Sequence, residues 1–201
     1  MSEALILIDI QNDFLPGGSL AVPEGDLVVP IANRLQPRFE LVLATQDWHP
    51  PNHASFASNH PGEKPGNVID LDGFPQVLWP DHCVQGSRGA EFDERLDRTR
   101  IARVFRKGTD PSIDSYSAFF DNRHLKATGL GDFLRAEGVT DVWLAGLATD
   151  YCVRYSALDA LQLGFTTHVV IDGCRGVELS PGDVARAIEE MRTGGAIIES
   201  I

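Results

Sequence analysis

Two runs, Ala4–Ile10 and Leu41–Gln46, are apolar almost throughout, without the polar alternation of a half-exposed strand. Strands of that kind belong to parallel sheets covered on both faces. Shorter runs of the same character lie at 101–106, 141–145, 167–171 and 196–199. Between them the apolar positions take a helical period near 25–36, 129–137, 150–163 and 181–193. Gly138 and Gly164 stand where helices stop, and Pro181 where one begins. The alternation predicts a three-layer α/β/α fold with a mostly parallel six-stranded sheet. Residues 47–90 break the pattern. They are rich in Pro, Gly, Asn and His yet carry Trp48, Phe56, Phe74 and Trp79. An irregular stretch of that length in a compact fold is usually functional, and these aromatic residues let it pack on itself. Residues 108–124 form a second irregular segment, rich in Ser and aromatic side chains.

Size and charge narrow the picture. A chain of 201 residues fits one domain, 1–201, with a full core. A formal net charge of −12 argues against nonspecific nucleic-acid binding and against anionic membrane surfaces. No apolar run approaches the roughly 20 residues that span a bilayer, and the start lacks the basic region of a secretory signal. Cys83, Cys152 and Cys174 are odd in number and widely spaced, which is no disulfide framework. A reducing, cytoplasmic setting is therefore expected. A homo-oligomer is compatible with the sequence.

In doubly wound sheets, ligands bind outside the carboxyl ends of the strands, where strand order reverses. Asp9, Asp47, Lys107 and Cys152 each fall at such an end. Cys152 closes the run Gly146-Leu147-Ala148-Thr149-Asp150-Tyr151-Cys152, between a strand and a helix-like pattern. A helix N-terminus presents unpaired N–H groups and a positive dipole, which favours a thiolate and an adjacent oxyanion. A lone cysteine is more often structural. Asp9 and Lys107 change that balance by offering a proton acceptor and a positive charge to the same thiol. A second set is Asp47 and His49, two apart and on one face of an extended chain, with His82 from Trp79-Pro80-Asp81-His82-Cys83. Two imidazoles and a carboxylate suit one divalent metal, zinc first, with iron or manganese as alternatives. His53 and His60 rank behind them, His53 as a partner behind the ligands. Cys83 adjoins His82 but diverges from it in an extended chain, and Cys174 reads as structural.

These residues resemble those of nicotinamidases in the isochorismatase-like cysteine hydrolase superfamily. The resemblance spans nearly the whole chain. It rests on Asp9-Ile10-Gln11-Asn12-Asp13-Phe14 with Gly17-Gly18-Ser19-Leu20, on Asp47-Trp48-His49-Pro50 with His53, Ser55 and Phe56, on residues 79–83, on Lys107-Gly108 and on Gly146–Val153. It implies a catalytic triad of Asp9, Lys107 and Cys152, and metal ligands Asp47, His49 and His82. It also implies a cis peptide bond at Leu147–Ala148, which turns the N–H groups of Ala148 and Cys152 toward one oxyanion. Phe14, Trp79, Tyr116 and Tyr151 fall where such enzymes line a flat ring pocket. The implied reaction is hydrolysis of nicotinamide, and of pyrazinamide, through a cysteine thioester. Another amidase or ureidohydrolase of the superfamily would keep the triad and change the pocket. A metal-binding redox sensor would need a resolving thiol for Cys152.

Overall fold

The structure is a computed structural model, which describes residues 2–201. Six strands form its central sheet: β1 (Ser2–Ile8), β2 (Leu41–Asp47), β5 (Ile101–Lys107), β6 (Val139–Leu147), β7 (Thr166–Arg175) and β8 (Ile197–Glu199). They lie in the order β5-β2-β1-β6-β7-β8, and every adjacent pair is parallel. Four α-helices flank it: α1 (Val28–Leu35), α2 (Leu130–Ala136), α3 (Arg154–Gln162) and α4 (Asp183–Thr193). The three-layer parallel architecture expected from the sequence is present.

The lack of alternation in β1 has a direct cause. Ala4, Ile6 and Ile8 enter a core with Leu130 and Leu134 of α2, Ala157 and Ala160 of α3, and Met191 of α4. Leu5 and Leu7 point the other way, into a core with Val28, Val29, Ala32 and Leu35 of α1. Both faces are dry, so both sets of side chains are apolar. Cys83, Ala90 and Leu96 join the α1 core. The irregular stretch is thus a packed part of the molecule.

Several boundaries differ from expectation. β1 ends at Ile8, and Asp9 leaves the strand in the left-handed region at φ +47°. The helix expected over 25–36 opens as a 3-10 turn, Gly25–Leu27, and becomes α-helical at Val28. Pro30 fits within its first turn, where the missing N–H leaves no gap. The segment expected as one helix over 150–163 begins with a π-helical turn, Thr149–Val153. α4 starts at Asp183 behind Gly182 at φ +91°, so Pro181 stands outside the helix. Gly138 and Gly164, at φ +69° and +88°, do end their helices. Within 47–90 lies an antiparallel hairpin, β3 (Val68–Leu71) and β4 (Phe74–Val77), turned at Asp72-Gly73. That dipeptide is a strong hairpin signal, with both residues at positive φ.

The strand order reverses between β1 and β6, so the chain segments leaving these two strands diverge over a crevice. Gly146, near the end of β6, sits at φ +136°, and a Cβ there would collide with the Ile8 carbonyl oxygen. The crevice edge therefore requires glycine. Gly146→Ala is expected to lower the urea midpoint and to reduce the yield of folded protein. Leu5→Ala, fully buried in the α1 core, should cost about 2–5 kcal/mol of unfolding free energy. Urea melts of both variants check these outcomes.

Candidate active site

Each predicted strand end delivers its side chain to this crevice. Asp47 and Lys107 are register partners on β2 and β5. The Lys107 ammonium is fully buried and stands 2.8 Å from Asp9 Oδ2 and 2.6 Å from Asp47 Oδ1. It donates to Asp47 Oδ1, to the Ser115 carbonyl at 3.0 Å and to Cys152 Sγ at 3.4 Å. Asp9 Oδ1 accepts from the Thr45 hydroxyl at 2.6 Å. Asp9 Oδ2, ion-paired with Lys107, accepts no hydrogen bond among the described residues. A carboxylate oxygen of Asp9, one of Asp47 and Cys152 Sγ form a buried group whose atoms lie within 4.8 Å of one another. The Leu147–Ala148 peptide bond is cis. The Ala148 carbonyl accepts from the N–H groups of Tyr151 and Val153 at 3.1 and 3.0 Å, which closes the turn around Cys152.

Burial dominates the electrostatics. It raises the Asp9 pKa, against the opposing charge of Lys107. It would also raise Asp47, but Lys107 and the two imidazoles hold that carboxyl well below the usual range. Burial acts to discharge Lys107, yet Asp47, Asp9 and Cys152 outweigh it and the ammonium persists. Burial pushes the Cys152 thiol well up, and the Lys107 charge only partly offsets this. The sequence led to a thiolate favoured by a helix terminus. In the structure Cys152 lies in a π-helical turn ahead of α3, where burial, and the two carboxylates it faces, oppose the thiolate that Lys107 favours.

Asp47, His49 and His82 are buried, and one donor atom from each falls within a 4.8 Å group. The His49 and His82 Nε2 atoms are 3.5 and 3.9 Å from Asp47 Oδ2. His49 Nδ1 is 2.9 Å from the Gly108 carbonyl, and His82 Nδ1 2.8 Å from the Pro80 carbonyl. Only a protonated Nδ1 satisfies those contacts, so a neutral ring turns its Nε2 lone pair toward the carboxylate; burial opposes charging His49, but the Asp47 charge outweighs it and raises the His49 pKa, so that without a metal this ring answers the carboxylate by holding a second proton. Lone pairs converging on a carboxylate are repulsive unless a cation lies among them. Carbonyl partners behind ligating histidines are the usual support of a metal site. Burial, then His49, pulls the His82 pKa down to about 4, which keeps that ring neutral. The donor set therefore fits a divalent metal. Among the other histidines, His53 is buried beside His49, ring centroids 4.3 Å apart, with Nδ1 bonded to Ser55 Oγ. His60 bonds to the Ala54 carbonyl, outside the group.

Phe14, Trp79, Tyr116 and Tyr151, the four predicted aromatic residues, line one cavity with Cys152, Ala148, Asp47 and His82. Trp79 meets Tyr151 edge-on at 4.8 Å and donates its indole N–H to the Tyr116 hydroxyl at 3.1 Å. The cavity also takes in Leu20, Asp114 and Val177, which sequence reasoning left unassigned. It likewise left Gln11 without a role. The buried Gln11 amide bonds both the N–H and the C=O of Asp47 at 2.8 Å, continuing the β1–β2 ladder by one side-chain rung. Cys83 and Cys174 lie outside the metal and triad groups. Cys83 is held by its N–H to Asp13, and the Cys174 thiol donates to the Val170 carbonyl.

His49→Ala and His82→Ala should lose bound metal, whereas His60→Ala should retain it. Elemental analysis of the purified proteins decides this. Lys107→Met leaves two buried carboxylates without their shared cation and should destabilise the fold by about 3–5 kcal/mol, read from urea melts.

The isochorismatase domain profile matches residues 3–201. The chain is 54% identical to the nicotinamidase of Escherichia coli K12, across 99% of this chain and 95% of that protein. A solved nicotinamidase/pyrazinamidase from Acinetobacter baumannii superposes with a TM-score of 0.96 at 45% identity, covering 99% of this chain and 96% of the other. The pyrazinamidase of Pyrococcus horikoshii, solved in complex with zinc, superposes with a TM-score of 0.82 at 40% identity, covering each chain in full. With its parallel sheet and its cysteine at the switch point, the chain belongs to the isochorismatase family, within the group of nicotinamidases.

Proposed function

We propose that the protein hydrolyses nicotinamide to nicotinate and ammonia, and pyrazinamide likewise, as a single hydrolase domain. One observation carries this reading: a single aromatic-walled cavity joins the Cys152 thiol to the Asp47–His82 edge of a metal-ligand set. A flat ring with an amide at one end and a donor nitrogen at the other matches both ends. Loaded with a divalent ion, zinc by preference, Asp47, His49 and His82 would supply a Lewis acid that binds the ring nitrogen and orients the amide. The sister pyrazinamidase solved with zinc favours that metal. The three free, buried cysteines fit a cytoplasmic enzyme.

Asp9 is the general base. Its Oδ2 has an open lone pair and a pKa raised by burial, which narrows the gap to the thiol. Asp9 takes the Cys152 proton as sulfur attacks the carboxamide carbon. Lys107, donating to Sγ, offsets the charge that forms on sulfur. The N–H groups of Ala148 and Cys152 receive the oxyanion. Asp9 passes the proton to the departing nitrogen, and ammonia leaves a thioester. Asp9 then deprotonates a water that attacks the thioester, and the proton returns to Cys152 as nicotinate is released. Loss of one oxyanion donor commonly costs about 10²–10³ in rate, so the turn matters nearly as much as the side chains.

Cys152→Ala should abolish ammonia release while keeping fold and metal content, and Cys83→Ala and Cys174→Ala should remain active. Near-wild-type turnover by Cys152→Ala would exclude a covalent mechanism. Benzamide shares the amide and the ring shape but has no ring nitrogen. Lost orientation alone removes several kcal/mol of barrier lowering, so benzamide should react far more slowly than nicotinamide and pyrazinamide. Equal rates for benzamide and nicotinamide would favour a general amidase.

A further inference from the structure

Asp150 takes no part in this chemistry, yet its carboxylate is 3% exposed, two residues before the nucleophile. Its Oδ1 accepts the Val177 N–H at 2.9 Å and its Oδ2 the Glu178 N–H at 2.8 Å. Glu178 is held in the left-handed region at φ +55°. Its own carboxylate bonds the N–H groups of Gly182 at 2.6 Å and Val184 at 2.8 Å, at the start of α4. Gly176 is wedged between: a Cβ there would collide with the Val184 side chain and lie 3.0 Å from Asp150 Oδ1. Segment 176–178 is thus pinned by Asp150 on one side and by α4 on the other. Its middle residue, Val177, lines the substrate cavity with Tyr151 and Cys152.

We propose that Asp150 is a positioning residue that fixes Val177 as a wall of the cavity, and that Val177 limits the ring substituents the enzyme accepts. The geometry separates two effects of the same turn. Cys152 faces Lys107 and Asp9, whereas Asp150 faces the 176–178 backbone. Loss of the clamp loosens the wall and leaves the thiol and its base in place. The inference rests on the amidase reading above.

The test pairs steady-state hydrolysis with alkylation of Cys152 by iodoacetamide, which reports thiol reactivity without requiring the ring site. Asparagine can accept only one of the two N–H groups and turns a donor on the other. Asp150→Asn should therefore raise KM for nicotinamide about tenfold or more, with kcat and the alkylation rate within about threefold of wild type. Val177→Ala should improve kcat/KM for at least one of 2-, 4-, 5- and 6-methylnicotinamide, relative to nicotinamide, by about tenfold, the worth of a methyl group in an apolar pocket. If Asp150→Asn does not fold, Gly176→Ala displaces the same segment and must give the same KM rise with unchanged alkylation. An alkylation rate that falls with kcat would place Asp150 in the support of the nucleophile and overturn the proposal. An unchanged KM, or no gain on any methyl isomer, would overturn it as well. A wild-type chain that releases no ammonia would overturn the amidase reading and this inference together. An active wild type with a failed split overturns the clamp alone.

Discussion

The Lys107 ammonium, fully buried between Asp9 and Asp47, ties the two halves of the site into one electrostatic unit. Buried ions are held only where partners offset their desolvation. Here one cation faces two carboxylates, so the trio retains one uncompensated negative charge. The His82 imidazole does not remove it, since burial keeps that ring neutral, and His49 answers it only by taking up a proton that Asp47 favours and burial opposes. A divalent ion on Asp47, His49 and His82 would answer that charge. Ligand set and triad are therefore electrostatically coupled, with Asp47 as the shared member.

In the proposed reaction, this assembly would let a thiol with a raised pKa serve as a nucleophile. A standing thiolate would face two carboxylates in a dry site. Keeping the proton on sulfur until a carbonyl arrives avoids that repulsion. Transfer to Asp9 would then neutralise one carboxylate at the moment the sulfur gains charge, so the net charge beside Lys107 would not change. Preorganised N–H groups and the ammonium need not reorient during the step, which is the condition under which such groups are most effective.

The strands and their chemical ends were legible because the signal was local. A strand covered on both faces must be apolar at every position, and a charged residue at its end, such as Asp9, Asp47 or Lys107, stands out against it. The convergence of the candidate ligand set was legible for a similar reason, since Asp47 and His49 share a face of extended chain. His82 followed from its position in the same irregular stretch. The hairpin at 68–77 carried its own signal in Asp72-Gly73, masked by the surrounding Pro and Gly. Gln11, Thr45, Asp114 and Val177 were not legible as site residues. Each acquires its role from a partner far along the chain, as Gln11 does from the backbone of Asp47. The setting of the Cys152 thiol was only partly legible for the same reason: a local helix-terminus argument omits the burial that dominates its pKa and the two distant carboxylates that add to it.

The π-helical turn concentrates these long-range dependences. Asp150 reaches segment 176–178, Tyr151 enters the cavity, and Cys152 meets Lys107. Val153 packs into the core under α3. Behind them the Ser156 hydroxyl donates to the Cys152 carbonyl at 2.6 Å and accepts the Ala118 N–H at 2.8 Å. Ala118 belongs to the same irregular segment as Ser115, whose carbonyl binds the Lys107 ammonium. The nucleophile and its cation are thus braced against one common stretch of backbone. A regular α-helix starting at Thr149 would space these side chains differently and send fewer of them to separate partners. The wider π turn lets consecutive residues address the cavity wall, the ring pocket, the charge cluster and the core. The site's precision therefore resides in how the turn is braced by segments 115–118 and 176–178, more than in the propensity of the turn's own sequence.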